Sequence, residues 1–313
     1  MRSLKELNIE ELHEIMERAK ELREQGTSYS QIASIIGEEF NVKISRPTVM
    51  RWCKGLHNPF NKIKEISLEP SPSLAYIIGV FLGDGSTSKR KDGKYRIKLK
   101  VIDKDFAERF QKTLEDLGIK ATLGFEHDST RVDRWYVEGT NKMLFQFLNG
   151  PREQLFNVAW KYPREFLQGL FDSEGFPVIS AKNTFRVQVA LANSDLELLS
   201  FTEKLLLEKF GISTRLVQTH KKNTPIVIRG VEYKYNVDMY LLWIYRLSHV
   251  QKFAKEIGFT ARRKQKKLED ALHLSEMPVI EALKLWHKKY IKGPRGYMKR
   301  SLIYSSFHTL SSK

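Results

Sequence analysis

Two acidic residues, Asp84 and Glu174, close two related stretches, SLAYIIGVFLGDG and REFLQGLFDSEG. Each stretch is an apolar run carrying small residues four apart, Gly79 and Gly83 in the first, Gly169 and Ser173 in the second, and each acid is followed by a glycine, Gly85 or Gly175. Small residues at that spacing share one helix face and let two helix backbones approach closely. The spacing therefore predicts that the two helices pair through Gly79, Gly83, Gly169 and Ser173, and pairing about a pseudo-two-fold axis brings both acids to one end. A carboxylate at a helix C-terminus is disfavoured by up to about 1 kcal/mol, and a second one nearby adds like-charge repulsion. A bound divalent ion, Mg2+ with Mn2+ able to substitute, removes both penalties. Such a pair suits metal-assisted phosphodiester hydrolysis, and two equivalent acids suit two strands. Either stretch alone reads equally well as a polar residue before a terminating glycine; the repetition favours a site.

The elements that must position these acids are themselves repeated. Gly79 lies over Gly169, Phe81 over Phe171, Asp84 over Glu174 and Gly85 over Gly175 at a constant offset, and YRIKLKVIDKDF continues the match to FRVQVALANSDL, Arg96 over Arg186 and Asp105 over Asp195. The helices that follow end in LGI and FGI, with glycine at the C-terminal stop. Then come ATLGFEH and DRWYVEG in one copy, STRLVQT and NVDMYLLWIYR in the other, rich in strand-forming residues. Each copy reads helix, strands, helix, strands, helix, giving an α+β fold with one repeat over 73–150 and the second over 151–262.

Lys and Arg number 53 against 37 Asp and Glu, and the net charge of +16 points to a polyanionic partner, nucleic acid first. A length of 313 residues accommodates two or three domains. No apolar run is long enough to span a bilayer, and MRSLKELNIEELHEIMERAKEL has no signal-peptide core, so a cytoplasmic protein with no membrane partner is expected. Cys53, the only cysteine, excludes an internal disulfide and a Cys-built zinc cluster, and no HxxxH pair offers a His-built site. Any metal sits on carboxylates.

Before the repeat, residues 1–56 read as an all-α unit of three helices. Leu4, Leu7, Ile9, Leu12, Ile15, Met16, Ala19 and Leu22 mark the first helix, which Gly26 closes; Ser30 and Ser45 are placed to cap the next two, and Pro47 fits a first turn. A linker rich in Asn, Pro and Ser covers 57–72. After the repeat, 263–313 forms a basic extension with one amphipathic helix, VIEALKLWHKKY, and a loop, KGPRGYMKR, that is either a phosphate clamp or a solvated surface loop.

The stretches LAYIIGVFLGDG and FLQGLFDSEG resemble the two defining motifs of the LAGLIDADG homing endonucleases, in the single-chain form with two repeats. The resemblance implies a pseudo-symmetric duplicated αββαββα fold whose two sheets form a saddle over double-stranded DNA, acting as a monomer with no obligate protein partner and cutting both strands across the minor groove. It implies Asp84 and Glu174 as the catalytic, metal-holding acids, with Gly83 and Ser173 completing the metal's ligands. SYSQIASIIGEEFNVKISRPTVMRWCKG resembles a helix-turn-helix, with Ile32, Ile35, Ile36, Val49 and Trp52 as core and Ser45, Arg46, Thr48 and Arg51 facing the DNA groove.

In YRIKLKV, Tyr95, Ile97, Leu99 and Val101 alternate with Arg96, Lys98 and Lys100, as in a strand buried on one side whose cationic side reads bases and neutralises phosphates. Arg186 and Gln188 hold the same face in the second copy. Arg131, Arg134, Lys182, Arg215, Gln218 and Lys234 are further candidates from neighbouring strands and loops. Many members of the family carry a basic residue at the end of this strand, where the chain has Ile102 and Ala192; Lys100 is the expected substitute and a third catalytic candidate. That departure favours a non-cleaving DNA-binding regulator as the alternative. An RNA intron maturase is the other, since a basic surface does not separate duplex DNA from RNA. An intein is disfavoured, because no splicing Cys or Ser begins the chain and no His-Asn pair ends it.

Overall fold

The computed structural model describes residues 1–300 apart from 5, 58, 60–64, 91–92, 128–131, 229 and 294–295. Arg131 and the end of the C-terminal extension lie outside the described residues. The chain forms two compact units, the first comprising Met1–Ser67, Lys89–Tyr95 and Asn141–Gly150 and the second the remainder.

In the first unit, strands β1 (Arg2–Ser3) and β2 (Val42–Lys43) pair in parallel beside α1 (Ile9–Glu24), α2 (Tyr29–Glu39) and α3 (Arg46–Cys53). The helix starts are fixed by side chains that accept orphan backbone N–H groups. Asn8 and Glu11 form a capping box on α1, so the helix begins after Leu4 and Leu7 rather than at them. Ser28, not Ser30, caps α2, in a second capping box closed by Gln31. Ser45 caps α3, with Pro47 in its first turn. Leu7, Leu12, Ile15, Ala19, Ile32, Ile36, Val42, Val49 and Trp52 form the core, and Ile35 packs against it half-buried.

In the second unit, α4 (Pro72–Leu82), capped by Ser71, buries every residue from Leu74 to Val80. It is followed by β3 (Ser86–Lys89), β4 (Tyr95–Val101), α5 (Lys104–Asp116), β5 (Ala121–Glu126), β6 (Arg134–Thr140) and α6 (Lys142–Leu148), the last belonging to the first unit. The strands form a sheet in the order β3-β4-β6-β5. Helix α7 (Arg152–Lys161), which the repeat does not require, leads into α8 (Pro163–Glu174).

The second copy then runs β7 (Gly175–Ala181), β8 (Phe185–Asn193), α9 (Leu196–Phe210) and β9 (Arg215–His220). A hairpin follows, β10 (Pro225–Ile228) with β11 (Val231–Lys234), before β12 (Met239–Ile244) and α10 (Leu247–Glu256) close the copy. Its sheet has the order β7-β8-β12-β9, so the two copies share one topology, αββαββα, and the β10–β11 hairpin is an insertion outside the sheet. Gly118 and Gly211, the glycines of LGI and FGI, adopt φ of +77° and +59° where α5 and α9 stop.

The C-terminal extension holds more than the one expected helix: α11 (Arg262–Leu274), α12 (Val279–Lys289) and a hairpin of β13 (Tyr290–Gly293) and β14 (Gly296–Lys299). Helix α11 escaped the sequence pattern because its buried stripe is only Leu268, Ala271 and Leu274 among many charges. Among the described residues, no helix is long and apolar enough to cross a membrane.

Candidate active site

The two motif helices touch through backbone. A Cβ built on Gly79 would stand 2.1 Å from the Phe166 carbonyl oxygen, and one on Gly169 2.4 Å from that of Tyr76. Phe166 and Tyr76 are equivalent positions of the repeat, so the contact is reciprocal, as a two-fold arrangement requires. A Cβ on Gly83 would meet that of Ser173 at 2.4 Å. All four small residues expected at the interface are there.

This packing carries Asp84 and Glu174 to the same end of the helix pair. Asp84, just beyond α4, is exposed to solvent, and Glu174, the last residue of α8, is half-buried. Desolvation raises the Asp84 pKa, opposed by the charges of Lys264 and Arg134. Glu174 is pushed up to about 7, first by desolvation and then by the negative charge of Asp84, against the pull of Lys264. Two acids that penalise each other's ionisation suit a hard divalent cation held by oxygen, so the residues fit the expected metal. The set is lean: among the described residues, no group of three His, Cys, Asp or Glu side chains is placed to hold a metal.

Each acid lines its own cavity. That of Asp84, about 330 Å3, is also lined by Lys100, Ile102, Asp103, Arg134, Arg263 and Lys264. That of Glu174, about 510 Å3, is lined by Ala192, Arg263, Lys264, Lys267, Lys292 and Tyr297 among others. Ile102 and Ala192, the strand positions without a basic residue, thus border cavities into which α11 delivers cations. Lys100 does line the Asp84 cavity, ion-paired with Glu126.

Helix α11 is tied to both copies of the repeat. Arg263 makes a two-pronged bond with Asp103, both contacts 2.9 Å, and the Arg262 N–H donates to Asp105 at 2.6 Å. On the other side, Asp172 is buried at 1 % exposure where the first copy has Leu82. Its carboxylate accepts from the Tyr76 hydroxyl at 2.8 Å, the Thr260 N–H at 2.8 Å, the Ala261 N–H at 3.2 Å and the Thr260 hydroxyl. Burial raises the Asp172 pKa and these donors oppose the shift. Lys264 follows immediately, its ammonium on the carbonyls of Phe171, Asp172 and Ser173; burial lowers its pKa while Asp172, Asp103 and Asp84 hold it up. Burial and the neighbouring Arg263 bring Lys267 down to about 8. Sequence reading missed Asp172, Arg263, Lys264 and Lys267. The legible signal was an acid inside an otherwise apolar motif, LFDSEG, which a buried helix tolerates only if that acid is fully bonded.

The expected strand alternation is present on β4, where Ile97, Leu99 and Val101 are buried and Arg96, Lys98 and Lys100 stand on the open face. Arg96 and Lys98 both pair with Glu138 of β6, at 3.4 and 3.8 Å, and Lys98 also lies over the Tyr136 ring. Arg134 is on the same face, opposite Glu126. On β8, Arg186 and Gln188 share the corresponding face, and Gln188 lines a cavity of about 410 Å3 with Arg215, Val217, Trp243 and Tyr245. Lys182 is exposed in the β7–β8 turn, Gln218 on β9 and Lys234 on the β10–β11 hairpin. In the first unit, Ser45, Arg46 and Arg51 are exposed on α3, and the Thr48 hydroxyl is bonded to that of Ser45 at 2.9 Å.

Residues 71–146 and 161–258 match the model of the LAGLIDADG-like domain, more than half of the chain. The chain belongs to this family. It is similar to the Uncharacterized protein MJ0398 of Methanocaldococcus jannaschii, 44 % identical over 273 residues that cover 87 % of this chain and 98 % of that protein. Among solved structures it is similar to the homing endonuclease I-DmoI in complex with DNA and Ca, with 18 % identity, 63 % of this chain and 97 % of the other covered, and a TM-score of 0.44. It is also similar to full-length DUF199/WhiA from Thermatoga maritima, with 14 % identity, coverage of 80 % and 70 %, and a TM-score of 0.44.

Proposed function

We propose that the protein is a site-specific endonuclease of double-stranded DNA that works as a monomer, hydrolysing one phosphodiester in each strand across the minor groove with Mg2+ or Mn2+. One observation carries this reading. The reciprocal glycine contacts of α4 and α8 bring Asp84 and Glu174 to one end of the pair, each beside a cavity lined with cations.

Asp84 and Glu174, with the carbonyls of Gly83 and Ser173, would hold the divalent ion, which when bound supplies an acidified water and charge for the leaving oxygen. Around them, Lys100 and Arg134 on the Asp84 side and Lys267 and Lys292 on the Glu174 side draw in the phosphate backbone of each strand. Arg263, fixed by Asp103, borders both cavities and supplies the positive charge that Ile102 and Ala192 lack. Arg96, Lys98, Arg186, Gln188 and Arg215 on the open sheet faces read bases and orient the duplex, with Lys182 and Lys234 as outlying phosphate contacts. In the first unit, Ser45, Arg46, Thr48 and Arg51 of α3 provide a second DNA contact of the helix-turn-helix kind.

The test is cleavage of a randomised duplex library with Mg2+ or Mn2+, comparing wild type with Asp84→Asn and Glu174→Gln. Wild type should leave cut ends with short 3′ overhangs, and each variant should cut at least about 100-fold more slowly, a loss of roughly 3 kcal/mol in transition-state stabilisation. A second reading, a DNA-binding regulator that does not cut, draws support from the missing strand-end cations and from Lys264 seated on the Ser173 carbonyl. Sequence-selective binding without cutting by any of the three proteins would establish it instead.

A further inference from the structure

The open face of the second sheet is hollowed by a cavity of about 410 Å3, lined by Gln188 of β8, Arg215 and Val217 of β9, Trp243 of β12 and Tyr245 just beyond it. The strand register explains its character. Trp243 stands opposite Ala190 on one side and Arg215 on the other. The repeat sets Ala190 where the first copy has Lys100, and Gln188 where it has Lys98. On β6 of the first copy, Tyr136 stands opposite Lys100 and Glu138 opposite Lys98, and Glu138 holds Arg96 and Lys98 in ion pairs. Two residues on from Trp243, the place of Glu138 falls to Tyr245, so a ring stands where the first copy has a carboxylate. Among the described residues, neither Gln188 nor Arg215 has a hydrogen-bond or ion-pair partner. Their donors and acceptors are left for a ligand.

The chemistry of this set selects its occupant. Trp243 and Val217 are half-buried and make an apolar wall, flanked by an amide that both donates and accepts and by a guanidinium that presents a fork of donors. On a chain of net charge +16, the partner of such a face is nucleic acid. The major-groove edge of an A·T pair matches the wall and the amide together: adenine offers N7 and N6 to a glutamine, and thymine is the one base that carries a methyl group there. RNA matches it poorly, because uracil lacks the methyl group and the major groove of an RNA helix is too deep and narrow for side chains to read.

We propose that this cavity receives the C5-methyl group of a thymine in the major groove of the bound duplex, against Trp243 and Val217, with Gln188 on the edge of an adenine. The second copy thereby selects an A·T pair at a point where the first copy presents paired charges. The inference rests on the proposed role of the open sheet faces in reading bases.

A randomised duplex library enriched for binding to the full chain in EDTA, so that nothing is cut, supplies the probe. The enriched pool is amplified once with dTTP and once with dUTP, which gives the same sequences with and without thymine methyl groups, and both pools are titrated by fluorescence anisotropy. Wild type should bind the thymine pool at least about fourfold more tightly, the effect of one buried methyl group. Trp243→Ala should bind the thymine pool more weakly than wild type does and bind the two pools alike, whereas Lys98→Ala should weaken binding to both pools by the same factor. Equal affinity of wild type for the two pools, or a Trp243→Ala that keeps the wild-type preference, would overturn the proposal. Should Trp243→Ala not fold, Val217→Ser alters the same wall by a smaller change and must diminish the preference. A library that does not enrich at all would remove the DNA-binding reading and this inference with it; enrichment without a preference for thymine removes only the inference.

Discussion

On β4 of the first copy, the open face carries Arg96, Lys98 and Lys100; on β8 of the second, the same positions are Arg186, Gln188 and Ala190. The neighbouring strands diverge in the same direction. Arg134, Tyr136 and Glu138 of β6 continue a charged face in which cations and carboxylates neutralise one another, whereas on the second face Leu241 and Trp243 of β12, with Val217 of β9 and Phe176 and Val178 of β7, set apolar side chains among Arg186, Gln188 and Arg215. The motif helices have not diverged in this way: Gly79 meets Phe166 as Gly169 meets Tyr76. Backbone against backbone leaves no room for a different side chain, while an open face constrains only the parity of the strand.

The strongest way to break this comparison is at the axis. Gly79→Ala and Gly169→Ala each force a methyl group into a carbonyl oxygen of the opposite helix, which cannot move without separating the pair. Each should destabilise by about 3 kcal/mol or more, a severe overpacking penalty, and by closely similar amounts. Urea unfolding of both variants is the measurement. A large difference between them would show that the axis is not symmetric in energy, whatever its geometry.

The axis was legible in the sequence because it depends on residue size at fixed spacing: Gly79, Gly83, Gly169 and Ser173 announce a close contact before any coordinate is known. The strand β4 was legible for a similar reason, since Tyr95 to Val101 alternate strictly and one face must be buried. The contribution of α11 was not. Arg263, Lys264 and Lys267 lie far along the chain from Asp84 and Glu174, in a segment so rich in lysine that no one cation stands out, and only the tertiary path from α10 over the helix ends selects them. The β10–β11 hairpin was missed because its strands pair only with each other, which leaves Val227, Val231 and Tyr233 exposed and without the alternation that burial imposes.

The second test converts one copy toward the other. Asp172 is Leu82 in the first copy, so Asp172→Leu would make the two motif helices more alike while stranding the N–H groups of Thr260 and Ala261 and leaving the buried Tyr76 hydroxyl only the Thr260 hydroxyl as partner. Leaving buried donors unpaired costs about 1 to 3 kcal/mol each where nothing else reaches them. A net loss of about 2 kcal/mol is expected, since leucine recovers some apolar burial, and hydrogen exchange should show the loss concentrated at the start of α11. Uniform loosening across the second unit would mean that Asp172 serves the core at large rather than the attachment of α11.

The smallest effect expected separates the two sheet faces by their response to salt. If the first copy binds DNA through phosphate charge, Lys98→Ala should weaken binding by about 1 kcal/mol and lower the slope of log affinity against log salt by about 1. Trp243→Ala should cost a similar amount through lost contact area and leave the slope unchanged, because it removes no charge. Glu138 sharpens the contrast. It holds both Arg96 and Lys98, so Glu138→Gln frees two cations without adding any and should tighten binding several-fold at low salt, with the gain fading as salt rises. Fluorescence anisotropy on one labelled duplex across a salt series reads all three variants together. Equal slopes for Lys98→Ala and Trp243→Ala would mean that the two faces meet the duplex in the same way, and that their difference in composition serves the fold instead.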